Sequence, residues 1–218
     1  MTKVKIDGIS RIEDAHAVIE AGADFLGMVF ASSPRQVSPE TARRIVGAMK
    51  GIQARQQVVG VFVNAPANEI NRLTDFCGLD VVQLSGDESW EYCREIERPV
   101  IKVIHVSGHK RPEAVLDEIS TGEKTLGTDG FTCLLDTKVK GIYGGTGKKF
   151  DWQLAREVGQ RRPVMIAGGL NAENVTEAIK IARPWGVDVS NGVETGGIKD
   201  ITKIAAFVHA VRRADEEV

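Results

Sequence analysis

The feature that most limits the folds open to this chain is an alternation running from one end to the other. Short β-rich runs occur at Val4–Ile6, Phe25–Phe30, Val58–Val63, Val81–Leu84, Val100–His105, Phe131–Leu135, Val164–Ala167 and Val187–Val189. Most are almost continuously apolar rather than alternating, the pattern of parallel strands covered on both faces. Between them lie stretches with helical spacing: Ile12, Ala15 and Ile19; Ala42, Ile45, Val46 and Met49; Val175, Ala178, Ile179 and Ala182. Ser10-Arg11-Ile12-Glu13 reads as a capping box, Ser38-Pro39 as a cap with proline in the first turn, and Asp151, Asn171 and Asp200 as further helix starts. Gly22 and Gly78 fit helix ends. The segment from His105 to Gly130 is the least regular, with a short helical patch over Pro112–Ile119 flanked by loops.

Strands alternating with helices have two main solutions, a doubly wound open sheet and a closed barrel. An open sheet of the dinucleotide-binding kind carries a glycine-rich turn after its first strand, and Asp7-Gly8-Ile9-Ser10 is not one. The glycine clusters follow the sixth, seventh and eighth runs instead, where barrels hold phosphate. The 218 residues suit one core. The expected fold is an α/β (β/α)8 (TIM) barrel, a single domain over residues 1–218.

Several function classes drop out. A net charge of −2 gives no basic footprint for nucleic acid. No apolar run approaches the ~20 residues of a membrane span, and MTKVKIDGIS lacks a signal-peptide core, so the expected location is the cytoplasm. Cys77, Cys93 and Cys133 are too scattered for a zinc site or a disulfide framework and read as packed side chains. No metal is expected. Monomer and homodimer both stay open.

In such a barrel, polar residues just past the strand ends face the active site. Asp7 and Asp136 end the first and sixth runs. An acid there is costly inside the core unless paired, so the two read as a general base and general acid reaching one pocket, or else as loop caps or partners of a lysine. Ala167-Gly168-Gly169-Leu170-Asn171 and Asp188-Val189-Ser190-Asn191-Gly192-Val193-Glu194 read together as a phosphate cradle of backbone N–H groups. Gly144-Gly145-Thr146-Gly147-Lys148 is a weaker glycine loop, without Walker spacing. Arg35, after the second run, is a candidate anion clamp because its planar fork binds carboxylate or phosphate bidentately. Of the histidines, His16 and His209 fall in helical stretches, whereas His105 can reach the mouth.

The segments VKIDGISRIEDA, GADFLGMVFASSPRQVSPE, VVGVFVN, LDVVQLSGDE, LLDT, GGTGKKFDW, AGGLNAENV and VDVSNGVE cover nearly the whole chain. In content and order they resemble the phosphoribosylanthranilate isomerases of tryptophan biosynthesis. The resemblance implies an Amadori rearrangement of a small phosphorylated aminosugar without cofactor. It implies Asp136 as the acid that opens the ribose ring and a first-strand base that removes the C2 proton. It further implies Arg35 on the anthranilate carboxylate, Gln83, Ser85 and Asp188 as substrate contacts, and Gly145, Gly168, Gly169, Ser190, Asn191 and Gly192 at the phosphate.

Two positions depart from the family. Where the family reads KICGI this chain reads KIDGI, putting Asp7 in place of the cysteine base; where it usually reads QLHGDE this chain has Ser85 in place of histidine. An ordinary carboxylate is almost fully ionised at neutral pH and a free thiol only a few per cent so, but the carboxylate is the weaker base. The related barrel isomerase of histidine biosynthesis runs the same rearrangement with two aspartates. Three readings follow: turnover of phosphoribosylanthranilate with Asp7 as base, turnover of the histidine-pathway imidazole ribotide, or a ligand-binding barrel disabled by Asp7.

Overall fold

The computed structural model describes residues 1–106, 110–137 and 151–217. Eight strands, β1 Lys3–Ile6, β2 Phe25–Val29, β3 Gln57–Phe62, β4 Val81–Leu84, β5 Val100–Val106, β6 Phe131–Thr137, β7 Val164–Ile166 and β8 Gly186–Val189, form a closed barrel in chain order. Every pairing is parallel, and Lys5 beside Asp188 lies on the β1–β8 seam that closes it. The open-sheet alternative is thereby excluded.

Helices α1 Ile12–Ala21, α2 Pro39–Gly51, α3 Ala67–Cys77, α4 Trp90–Cys93, α5 Pro112–Leu126, α6 Trp152–Gly159, α7 Val175–Ala182 and α8 Ile201–Glu216 follow the strands in turn. Their buried stripes match their spacing. In α2, Ala42, Ile45, Val46 and Met49 are buried, and in α7 Val175, Ala178, Ile179 and Ala182. Ser38 caps α2 by accepting from the Thr41 N–H at 3.2 Å, and Asp151 and Asp200 cap α6 and α8. Two start signals shift. Ser10 is exposed and caps nothing; α1 begins one residue later, its first turn pinned by Arg11 gripping Asp14. Asn171 accepts from the Glu173 and Asn174 N–H groups, stabilising the turn before α7 rather than its first residue. The irregular fifth helix runs farther than its short apolar patch, to Leu126, and a one-turn α4 was not marked by any periodicity. No helix among the described residues is long and apolar enough to cross a membrane.

Because side chains alternate along a strand, β2 to β7 each feed two apolar cores. Val4 and Ile6 of β1 point outward into the large layer shared with the helices. The barrel interior holds Phe25, Val59, Val81, Ile101, Val103, Leu134, Met165 and Ala167. Lys5 and Asp7 share a face opposite to Val4 and Ile6, so β1 sends a lysine and an acid into the barrel. The three cysteines are free and buried, as packed side chains should be.

Candidate active site

A cavity of about 590 Å³ opens at the C-terminal ends of the strands. Asp7, Arg35, Gln83, Ser85, Asp136, Gly168, Gly169, Asp188, Ser190 and Asn191 all line it. Gly145 lies outside the described residues.

The floor is ionic. Lys5 Nζ sits 3.0 Å from Asp7 Oδ1 and donates to Asp188 Oδ1 at 3.0 Å. Burial alone would discharge this lysine, but the two carboxylates outweigh it and hold its pKa above the ordinary value. Asp188 feels burial most, opposed by Lys5 and reinforced by Asp7, and its pKa rises to about 7. Asp7 therefore does pair with a lysine, and from below, while still facing the cavity with 9% of its surface exposed. Its room comes from β2. A Cβ on Gly27 would sit 1.8 Å from Asp7 Oδ1, so only glycine lets the carboxylate lie there.

Asp136 stands on β6, which runs two residues past its apolar core to Thr137, so the acid lies within the strand. It is 7% exposed and accepts from the Thr137 N–H at 2.7 Å. Burial pushes its pKa up; that N–H and nearby His105 pull the other way without winning. A carboxyl that keeps its proton longer than usual suits an acid. His105, in register with Asp136 on β5, contacts the Ser85 carbonyl through Nε2 at 3.0 Å. Gln83 donates to Ser85 Oγ at 3.1 Å, and its Oε1 is buried with no hydrogen-bond partner among the described residues. The side on which the family's histidine would stand is thus built from a serine and an amide.

The far wall consists of two loops. Gly168 and Gly169, with φ of 91° and 68°, take left-handed conformations that turn the backbone after β7 toward the cavity. Asn174 Nδ2 donates to the Gly169 carbonyl at 2.9 Å, holding the turn. After β8, Ser190 leads into a single 3₁₀ turn, Asn191–Val193. Gly192 does not line the cavity. A Cβ there would meet the Leu170 carbonyl oxygen at 1.8 Å, so its glycine lets the two loops lie directly on one another.

Arg35 also lines the cavity, close to Ser190 across Gly8, but its fork is occupied. Nε and Nη2 donate to the two oxygens of Glu194 at 2.7 and 2.8 Å. Lys199 Nζ donates to the same carboxylate at 2.6 Å and to the Ser190 carbonyl at 2.8 Å. Burial disfavours the charged Glu194, yet Arg35 and Lys199 hold its pKa below the usual range. Glu194 and Lys199 belong to the short hairpin β9 Glu194–Thr195 and β10 Ile198–Lys199. An incoming carboxylate would have to share or displace Glu194 to reach the guanidinium. Sequence reading missed Lys5 and Lys199, and took Glu194 as the end of the turn after β8 rather than as the partner of Arg35. Lys5 alone left a signal, since strand period places it two residues from Asp7 on the same face.

Comparison with known proteins identifies the family. A sequence model of the family "PRAI: N-(5'phosphoribosyl)anthranilate (PRA) isomerase" matches residues 4–210. The chain belongs to the N-(5'-phosphoribosyl)anthranilate isomerase family. A relative of that name from Dehalococcoides mccartyi is 50% identical over 99% of this chain and 98% of its own. The crystal structure of phosphoribosyl anthranilate isomerase from Thermotoga maritima superposes with a TM-score of 0.82 at 39% identity, covering 98% of this chain and 100% of that one. Another solved family structure, at TM-score 0.78 and 37% identity over 98% of this chain and 100% of that one, is a complex with reduced 1-(o-carboxyphenylamino)-1-deoxyribulose 5-phosphate.

Proposed function

We propose that Asp7 is the general base and Asp136 the general acid of the rearrangement that this family performs. The chain is an aldose–ketose isomerase of tryptophan biosynthesis. Its reaction turns N-(5'-phosphoribosyl)anthranilate into 1-(2-carboxyphenylamino)-1-deoxyribulose 5-phosphate. Asp136 gives its proton to the ribose ring oxygen as the C1–O bond breaks, and the nitrogen lone pair closes a C1=N iminium. Asp7 then takes the C2 proton, and that electron pair forms the C1=C2 bond of an enolamine while the nitrogen recovers its own. Tautomerisation moves a proton to C1 and releases one from the C2 hydroxyl, giving the ketone and restoring both carboxyl groups.

The observation that carries this reading is the placement of Asp7 and Asp136 on one cavity from β1 and β6. Burial favours the protonated form of the acid, and Lys5 stands beside the base. The loops after β7 and β8 supply backbone N–H groups for the phosphate, with Gly168, Gly169, Ser190 and Asn191 on the ligand side. Arg35 takes the anthranilate carboxylate, exchanging part of its contact with Glu194. The protein works in the cytoplasm, where its three unpaired cysteines stay reduced.

Loss of phosphoribosylanthranilate fluorescence, followed with the unaltered protein, Asp7→Cys and Asp7→Asn side by side, tests the assignment. The expected result is turnover that Asn removes by about 10²- to 10⁴-fold, the range for loss of a general base. An inert parent revived by Cys would mean a binding barrel, and turnover of the imidazole ribotide alone would move the enzyme to the histidine pathway.

A further inference from the structure

A lysine with no exposed surface, at the centre of a barrel, facing the base, is not required by the chemistry above. Lys5 is 0% exposed and is among the largest fully buried side chains. At such a fully buried position a methionine or leucine would pack at lower cost, because burying an ammonium carries a heavy desolvation penalty. Something offsets that penalty. Both contacts of the head group are carboxylates, Asp7 and Asp188, each at 3.0 Å. Their Oδ1 atoms are therefore no farther apart than twice that distance, in a buried setting.

We propose that Lys5 is a positioning residue for the reaction: its ammonium keeps Asp7 ionised and aimed at the cavity, and prevents Asp7 and Asp188 from sharing a proton. The inference rests on Asp7 being the base. Two buried carboxylates this close do not both stay ionised without a cation between them; one takes a proton, and the pair then titrates as a unit. A base that holds a proton for part of the time is lost to catalysis for that part. With Lys5 in place the proton goes elsewhere. Both carboxylates reach the cavity, and burial raises the pKa of Asp188, so Asp188 is the one that takes it. The other charged groups acting on Asp7 are Asp136 from β6, Arg35 from the loop after β2 and Lys199 from β10. Arg35 and Lys199 are both committed to Glu194. On β2, the uncharged Gly27 lies against the Asp7 carboxylate. Lys5 is the cation in direct contact with Asp7 among the described residues.

The arrangement also answers how an aspartate can stand where the family has a cysteine. A neighbouring ammonium favours the ionised form of either side chain, but it cannot make a carboxylate more basic. Its contribution here is availability and aim, while C2 acidity is supplied by the iminium.

The test is the pH profile of kcat/KM for Lys5→Met and Lys5→Gln, with Asp7→Asn measured alongside. Removing the ammonium leaves Asp7 and Asp188 to share a proton, so the acid limb of the profile should move up by about one pH unit or more in both variants, the scale of shift a like-charged neighbour produces. Activity should return at alkaline pH and KM should change little. A spacer role predicts a different outcome: Lys5→Met fills the same volume, so its limb would stay in place. Unmoved limbs in both folded variants overturn the proposal and leave Asp7 as base intact. Full activity in Asp7→Asn overturns the base assignment, and the Lys5 proposal with it. If both Lys5 variants fail to fold, carboxyl 13C NMR of the unaltered protein decides. Asp188 should take up its proton near pH 7, well above the ordinary carboxylate range, as the pH falls, and an Asp188 that stays ionised there overturns the proposal.

Discussion

Gly27→Ala is a one-methyl change at a position that touches no substrate in the reading above, and it should nearly silence the enzyme. The new Cβ would lie 1.8 Å from Asp7 Oδ1, 2.9 Å from Cγ and 3.2 Å from the Asp7 Cα. The first two contacts are impossible, and the third leaves the β1 backbone little slack. Ordinary carbon–oxygen contact needs more than 3 Å, so the carboxylate must retreat by more than an ångström, and the retreat also pulls it off Lys5. A misplacement of about 1 Å in a reacting group can cost 10²-fold, and kcat should fall by about that factor or more. KM should change less than kcat, since the clash falls first on the Asp7 carboxylate rather than on Arg35 or the loops after β7 and β8. Overpacking costs about 1–3 kcal/mol, which lowers Tm by about 2–12 °C in a domain of this size. Steady-state kinetics on phosphoribosylanthranilate and a thermal melt measure both effects. Asp7→Asn added to Gly27→Ala should cost almost nothing further, because the base is already displaced. A Gly27→Ala enzyme with unchanged kcat would refute the reasoning.

Gly192→Ala should push the loops after β7 and β8 apart, because its Cβ would meet the Leu170 carbonyl at 1.8 Å; KM should rise about tenfold or more, roughly the loss of one good hydrogen bond to a charged group, and inorganic phosphate should inhibit less. Inhibition that is unchanged would contradict that role. Arg35→Met should raise KM by about 10- to 100-fold on the same scale with a smaller effect on kcat, as seen in initial rates across substrate concentration. Asp136→Asn should stabilise the protein at alkaline pH. The Asp136 pKa is raised by burial in the folded state, so its folded form prefers the proton; the stability it contributes is full at acid pH and is lost as pH rises through the folded pKa. Asparagine cannot ionise, so the Tm difference should be largest at about pH 8 and vanish near pH 4, the reference range of an aspartate. A difference independent of pH would count against the burial account.

The parts of this molecule set by local pattern were legible, and those set by pairing across the barrel were not. Apolar runs and helical stripes gave the strand and helix order, and late glycine clusters gave the choice of barrel, which the β1–β8 pairing bears out. Ser38, Asp151 and Asp200 cap helices because a cap is a contact between near neighbours in sequence. Ser10 does not, because one residue of shift at a helix start depends on the Arg11–Asp14 pair. Lys5 was visible as a residue but not as a partner of Asp188, which is 183 positions away. The Arg35–Glu194 clasp is equally non-local, at 159 positions. Gly27 carried no sequence signal of its own, and Gly192 read only as part of the phosphate turn; each is a glycine because of an atom arriving from a different loop or strand.

The most direct test of the two-carboxylate account is a crystal structure of this protein with the reduced product analogue bound. The expected complex has the phosphate on the loops after β7 and β8 and the sugar chain between β1 and β6. The Asp7 carboxylate should lie within about 3.5 Å of C2 and Asp136 within hydrogen-bond reach, about 3 Å, of the oxygen that was in the ribose ring. A complex in which either carboxylate is turned from the sugar, with its nearest reacting atom beyond the reach of one bridging water, would contradict it.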